Sequence, residues 1–443
     1  MVALSPFHAL RPRPDAAARV ASVPYDVVDA AEARALAAGN PDSFLHVVRP
    51  EIALPPEADP HGDEVYRAGA AALASLVERG VSARDPEPSL YLYRLEWRGR
   101  AQTGVVGCCA VDDYDAGLIR RHEHTRPDKE RDRARHALAL AAHAGPVLIA
   151  YRGREEIDRR VAEGAGAEPL YDFTAVDGVR HTVWRLAGAA AGGLAAAFAA
   201  VPALYIADGH HRAAAYSRAR AAWRAAAGSG PGGAGSRAAD HQSDREIDRE
   251  VDHFLAALFP ADRLTILPYN RVVRDLAGMA PEQFLARVGE AMEVTPGAGP
   301  EPPGHGRFAL YLAGRWLGLT APPERIEDPD PVASLDAAVL QELVLGPILG
   351  IDDPRTSERI EFVGGARGTA ELARRVDERG GGAAFALHPV TVEQLMAVAD
   401  AGRVLPPKST WFEPKLRSGL LVHEFEPAPA AAAAAELAAG AAR

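Results

Sequence analysis

One stretch constrains the fold of this chain more than any other: an apolar run, Val201 to Ile206, followed by Ala207-Asp208-Gly209-His210-His211-Arg212 and then by Ala213-Ala214-Ala215-Tyr216-Ser217-Arg218-Ala219-Arg220. The run reads as a short buried strand and the alanine-rich segment as a strong helix, so the polar residues occupy a strand-to-helix turn. Asp208 is placed to cap the helix. Gly209 lets the backbone turn and lets a ligand approach it closely. The first free N–H groups of the helix point at the same spot, which suits an anion such as phosphate. A capped helix with two surface histidines is the plain alternative. Packing a carboxylate, two imidazoles and a guanidinium into five residues favours a site.

The chain has 443 residues, of which 48% are hydrophobic and 6% aromatic, so a large core is available. Its net charge of −11 argues against a general nucleic-acid or membrane-surface binder. Cys108 and Cys109 are adjacent, lack metal or redox spacing and lie in an apolar run, which points to buried thiols in a reducing cytoplasm. No targeting signal or membrane span is expected.

Strands and helices alternate throughout, so the class is mixed α/β. Asp29 caps a helix that Gly39-Asn40-Pro41 stops. Phe44 to Val48 reads as a strand, Val65 to Glu78 as an amphipathic helix, and Ser89 to Trp97 with Thr103 to Asp112 as a hairpin. Tyr114 to Ile119 reads as a strand that enters a helix from about Lys129 to Ala144, and Pro146 to Tyr151 as a buried strand. Glu246 to Phe259 reads as a helix and Leu264 to Val273 as one strand. Ala383 to His388 is a further strand and Thr391 to Ala401 a further helix. The expected organisation is an N-terminal α/β lobe (1–115), a central core (116–275) carrying a mobile Gly/Ser/Ala-rich insertion (225–242), a C-terminal α/β lobe (276–424) and a disordered Ala/Pro-rich tail (425–443).

Two more segments can carry chemistry. His122, Glu123 and His124 stand beside Thr125 and Arg126. A carboxylate between imidazoles can act as a general base, and the hydroxyl and guanidinium next to it can hold a polyanion. The alternating charges from Asp128 to Arg135 read instead as a solvated helix face. Near the C-terminus, Lys408, Ser409, Thr410 and Lys415 lie in a proline-bounded loop, a residue set that binds phosphate. Arg271, at the end of Leu267-Pro268-Tyr269-Asn270-Arg271, reads more simply as part of a strand end. No Gly-x-x-x-x-Gly-Lys-Ser/Thr loop, Gly-x-Gly-x-x-Gly turn, His-Glu-x-x-His helix or spaced Cys/His set is present.

Together these segments resemble a widespread, uncharacterised prokaryotic family, a domain of unknown function. Its motifs are Pro-Tyr-Asp-Val (Pro24 to Val27), His-Glu-x-Thr (His122 to Thr125), Asp-Gly-His-His-Arg (Asp208 to Arg212) and Lys-Ser-Thr-x-Phe-x-Pro-Lys (Lys408 to Lys415). The Asp-Gly-His-His-Arg turn is also similar to that of free-serine kinases with a ParB/sulfiredoxin-like fold. The resemblance implies a multi-lobed single unit with a ParB/sulfiredoxin-like core around Asp208–Arg212. It implies a cytoplasmic phosphotransferase that makes O-phosphoserine from L-serine, with Mg²⁺ and with pyrophosphate, ATP or ADP as donor. Glu123, Asp208, His210 and His211 would be catalytic. Glu123 would be the base, and Asp208 would assist it or position Mg²⁺. His122, Thr125, Arg126, Gly209, Arg212, Lys408, Ser409, Thr410 and Lys415 would bind the donor's phosphates. Asn270 departs from the histidine expected before Arg271. Two other classes compete with this reading: a metal-dependent hydrolase on His122, His124, Asp208, His210 and His211, and a non-catalytic ParB-like regulatory module. The acidic balance and the lack of a basic stripe weigh against a nucleic-acid partner.

Overall fold

The computed structural model describes residues 2–228 and 249–427. The expectations for 229–242 and for 428–443 lie outside the described residues. The fold is mixed α/β, as expected, but it forms two compact units rather than three consecutive lobes. Unit 1 takes residues 1–120, 124–263 and 414 onward, and unit 2 takes 121–123 and 264–413. Unit 2 is therefore an insertion in the chain of unit 1. Consecutive lobes fail because the central sheet of unit 1 pairs strands from both sides of the boundary expected at 115.

That sheet runs in the order Ile119–Arg120, Leu204–Asp208, Val147–Tyr151, His253–Pro260, Arg100–Ala110, Ser89–Trp97, Arg180–Ala187, Tyr171–Thr174, with Leu4–Ser5 on Arg100–Ala110. Val147–Tyr151 is buried along its whole length, which is why it reads as an unbroken apolar run. It pairs in parallel with His253–Pro260 and antiparallel with Leu204–Asp208. The core packs Leu92, Val105, Ile149, Ile206, Phe254 and Leu258 against helices on the sheet faces. A smaller sheet orders Ser82–Arg84, Ala9–Pro12, Val422–Glu424 and Ala142–His143.

Unit 2 is built on an antiparallel sheet in the order Glu293–Pro296, Arg315–Thr320, Arg307–Leu312, Ala383–Leu387, Tyr269–Val273, Ile360–Gly364. Phe284, Phe308, Leu310, Leu340 and Phe385 fill one face. Thr265–Leu267 pairs separately with Trp411–Glu413. The single strand expected over Leu264 to Val273 is thus two strands in two sheets. Pro268 separates them because it has no N–H to give to a ladder.

Local chemistry explains where other expectations hold or fail. Asp29 Oδ1 accepts from the N–H groups of Ala31 and Glu32 at 2.8 Å, and Glu32 returns a bond to the Asp29 N–H, so the helix Ala30–Ala37 is capped as expected. Phe44 to Val48 is not a strand: Leu45–Val48 is a helical turn whose Leu45, Val47 and Val48 are all buried, so apolar residues do not alternate. Tyr114 lies in the helix Val111–Asp115, leaving only Ile119–Arg120 as strand. The region read as a helix up to Phe259 holds the strand His253–Pro260, whose central position in the sheet overrides the helix preference of its alanines and leucines. Ala225 to Gly228 continue the helix His210–Gly228 instead of opening the insertion. Phe425, expected in the tail, is buried and bonds through its N–H to the Ala141 carbonyl at 2.9 Å. Among the described residues no helix is long and apolar enough to cross a membrane.

Candidate functional site

The strand Leu204–Asp208 ends at Asp208, and the helix His210–Gly228 starts two residues later. Gly209 makes the junction at a φ of +97°, a region that side chains other than glycine rarely enter. A Cβ there would meet Arg212 Nε and Nη2 at 3.0 Å, so the Arg212 guanidinium folds back over the turn. Arg212 is 7% exposed. Its Nη1 donates to the Pro146 carbonyl, and its Nε–H has no hydrogen-bond partner. Burial works against this charge, but the carboxylates of Asp26 and Asp208 outweigh it and hold the guanidinium more firmly protonated.

Asp208 faces a cation from a distant part of the chain: Lys415 Nζ lies 2.9 Å from its Oδ2. Burial raises the cost of ionising Asp208, yet the charges of Lys415 and Arg212 and the Lys415 hydrogen bond hold its carboxyl well below the usual carboxylate range. A carboxylate that binds protons so weakly is a poor general base and a good electrostatic anchor.

His211 Nε2 accepts the backbone N–H of Arg126 at 3.1 Å, so that nitrogen carries no proton in this arrangement. The contact ties Arg126, which precedes the helix Pro127–Leu140, to the start of the helix His210–Gly228. His210 is buried. Thr125 donates its hydroxyl to Glu130, and the exposed Arg126 guanidinium pairs with Asp128 at 2.8 Å, so both serve the start of the helix Pro127–Leu140. The charged face read as fully solvated is not so at Asp132 and Arg133. Asp132 is buried, accepts from Tyr66 at 2.8 Å and pairs with Arg133 at 2.7 Å.

A small cavity of about 30 Å³ adjoins the turn, lined by Tyr25, Arg133, Gly145, Arg212, Tyr216 and Ser418. It has room for little more than a water or two. The Arg133 guanidinium lies 4.6 Å over the Tyr25 ring. Tyr25 and Arg133 escaped the sequence reading as site residues. Tyr25 was visible as the second residue of the Pro-Tyr-Asp-Val motif. Arg133 was visible in register with Ala137, one turn on along the buried face of its helix.

His122, Glu123, Lys408, Ser409 and Thr410 belong to unit 2. His122 is buried, and its carbonyl accepts from the Leu405 N–H at 2.8 Å, just ahead of the Lys-Ser-Thr loop. Glu123 is exposed. Lys408 is exposed, at a φ of +53°, with its ammonium 5.6 Å over the Tyr269 ring. Ser409 is buried and spends its hydroxyl on the Pro406 carbonyl at 2.7 Å, which shapes the loop. Asn270, where a histidine was expected, is buried and accepts from the Leu387 N–H at 3.1 Å, a bond internal to the sheet. Among the described residues no group of three or more His, Cys, Asp or Glu is placed to hold a metal ion.

A family model described as "Protein of unknown function (DUF1015)" matches residues 4–338. No curated protein matches the chain. Among solved structures, a free serine kinase in complex with AMP is similar at 14% identity and a TM-score of 0.32, covering 72% of this chain and 91% of that one. A conserved hypothetical protein from Pyrococcus furiosus is similar at 14% identity and a TM-score of 0.33, covering 72% and 94%. SbnI with a C-terminal truncation, from Staphylococcus aureus, is similar at 11% identity and a TM-score of 0.36, covering 72% and 87%.

Proposed function

Because the chain belongs to the DUF1015 family, whose description carries no activity, its function has to be read from the site, and we propose that it is a phosphotransferase acting on the hydroxyl of a small molecule, free L-serine or a similar hydroxy amino acid. The observation that carries this reading is the Arg212 guanidinium. It is buried, keeps an unspent Nε–H, and lies against a glycine at the start of a 19-residue helix. Phosphoryl transfer asks little covalent chemistry of a protein; it asks for charge neutralisation and alignment. A guanidinium beside a helix N-terminus supplies both for one phosphoryl group.

In the proposed reaction the bond from phosphorus to the bridging oxygen of the donor breaks. A bond from the acceptor oxygen to phosphorus forms. The acceptor proton passes to a base, and the remainder of the donor leaves with the electron pair. Arg212, with the positive end of the helix that starts at His210, holds the transferred group. Asp208, clamped by Lys415, orients its surroundings rather than taking the proton. The role of base falls to Glu123, on the resemblance of the His-Glu-x-Thr segment alone. Lys415 is the cation proposed for the rest of the donor, which is pyrophosphate, ATP or ADP; Lys408 and Thr410 are assigned to it on the resemblance of the Lys-Ser-Thr segment alone. Ser409 is left out of that set because its hydroxyl is already committed. Mg²⁺ suits this donor set only as a donor-bound ion: Asp208 offers one carboxylate, and Mg²⁺ is commonly held by one or two carboxylates plus substrate phosphates. Bound there, it would neutralise phosphate charge.

The hydrolase reading loses ground, since His211 Nε2 is occupied by a backbone N–H. The test is phosphorus NMR on the full chain with Mg²⁺, L-serine and each donor in turn. A phosphomonoester signal that depends on L-serine is expected. Turnover of no donor with any hydroxy amino acid would remove the proposal.

A further inference from the structure

Unit 2 contains a cavity of about 340 Å³, lined by Arg271, Ala338, Gln341, Asp352, Arg355 and Pro407 among others. This size lies at the small end of pockets that hold small molecules. Two polar groups on its wall are built as if for a ligand.

The first is Arg271, only 3% exposed. Its Nη1 donates to the carbonyls of Tyr269 at 2.7 Å and Lys408 at 3.0 Å, and its Nη2 to that of Pro407 at 3.1 Å. The Phe362 ring lies 4.5 Å from the guanidinium carbon. A guanidinium has five N–H donors. The three bonds leave the Nε–H and one Nη2–H, and Nε with Nη2 is a pair of donors that can grip a carboxylate in two parallel bonds. Among the described residues no carboxylate pairs with Arg271, and a buried cation without an anion is costly. Burial pushes this guanidinium down to about 9, which still leaves it cationic at neutral pH.

The second is Gln341. Its Nε2 donates to the Ile351 carbonyl at 2.7 Å, which fixes the amide orientation, and its Oε1 is buried with no hydrogen-bond partner. The residue opens a wide turn in which the Gly346 N–H bonds back to the Gln341 carbonyl at 3.0 Å. Such five-residue turns within helices are frequent at functional sites.

We infer that this pocket binds a small organic acid with a hydrogen-bond donor beside its carboxylate, a 2-hydroxy or 2-amino acid. The carboxylate takes the two spare N–H groups of Arg271, and the hydroxyl or ammonium gives its proton to Gln341 Oε1. A phosphate dianion fits less well. Asp352, Asp353 and Glu342 also line the pocket; Asp353 pairs with Arg355 at 2.9 Å and Glu342 with Arg325 at 3.1 Å, so the charge of Asp352 is the one that repels a second negative charge while tolerating an ammonium.

The inference does not rest on phosphotransfer, because its test contains no donor. Calorimetry on the full chain uses glycolate, glycine and inorganic phosphate as separate probes, up to about 20 mM. One-to-one binding of glycolate or glycine, tighter than that of phosphate, is expected. Arg271→Gln should weaken it at least about tenfold, the worth of one charged hydrogen bond. Arg271 also holds the loop at Pro407, so a second variant is needed. Ala338→Phe fills the cavity without removing a polar group and should abolish binding at an unchanged melting temperature. Arg212→Lys should leave binding unchanged. Saturation by neither acid, a preference for phosphate, binding that survives Arg271→Gln and Ala338→Phe, or loss of binding in Arg212→Lys would each overturn the assignment. Which of the two acids binds tells whether the donor is a hydroxyl or an ammonium.

Discussion

Replacing Gly209 with alanine should damage both the fold and the proposed anion site, by separable amounts. The backbone at this position has a φ of +97°, which an alanine enters only at a cost of about 1–2 kcal/mol. The new Cβ would stand 3.0 Å from Arg212 Nε and Nη2, closer than carbon and nitrogen normally approach. The guanidinium is the far end of a flexible side chain, but it is pinned by the Pro146 carbonyl and buried. It must shift by a few tenths of an ångström, in the direction that withdraws the Nε–H from the helix start. A hydrogen bond to a charged group contributes about 1.5–3 kcal/mol, so its loss weakens a phosphate ligand by roughly 10- to 150-fold. Urea denaturation should show the first effect, and calorimetric titration with pyrophosphate the second. An alanine variant with an unchanged midpoint and pyrophosphate affinity within about twofold of the wild type would refute both the backbone argument and the role of Arg212.

Three further outcomes are expected. Glu123→Gln should lower turnover by about 10²–10⁴-fold with little change in donor binding, whereas Arg212→Lys should weaken donor binding, since lysine cannot reproduce the planar fork; steady-state kinetics separates them, and normal turnover in Glu123→Gln would rule it out as base. Lys415→Met should destabilise the fold by about 1–3 kcal/mol at pH 7, because it leaves Asp208 ionised beside one fewer cation. The deficit should shrink as pH falls through the ordinary carboxylate range, where Asp208 of the variant takes up a proton; a pH-independent deficit in denaturation curves would contradict the pairing. His136 and His181 are both pushed down to about 3, by burial first and then by the charges of Arg133 and Arg417 respectively. The unfolded chain therefore takes up protons below pH 6.5 that the fold refuses, and each histidine costs about 1.4 kcal/mol of stability per pH unit on acidification. His136→Gln should flatten that slope, read from unfolding free energies between about pH 6.5 and 4.5.

The strand-to-helix turn at Asp208 was legible because its cues are local: an apolar run, a capping carboxylate, a glycine and an alanine-rich helix. The Asp29 capping box was legible for the same reason. The strand His253–Pro260 was not, since a strand buried on both faces shows no alternation and its alanines and leucines favour helix. The Asp208–Lys415 pair spans 207 positions, and no spacing rule reaches that far. Ser409 shows the converse limit. Lys-Ser-Thr is a phosphate-binding composition, but composition cannot tell a hydroxyl offered to a ligand from one turned back on its own loop. Arg271 was passed over because a single arginine at a strand end is ordinary; only the missing carboxylate sets it apart.

The nesting of one unit inside the other sets an order for synthesis. The strands of the six-stranded sheet all lie between residues 269 and 387. The small sheet of unit 1 places Val422–Glu424, near its last described residues, between Ala9–Pro12, near its first, and Ala142–His143. On the ribosome the inner unit can therefore close while the outer one still waits for its final strand. Until that strand arrives, two short edges stay open to any passing chain. A stop just before Val422 would leave the six-stranded sheet of unit 2 whole and unit 1 unstitched at the place where Ala9–Pro12 and Ala142–His143 should be joined.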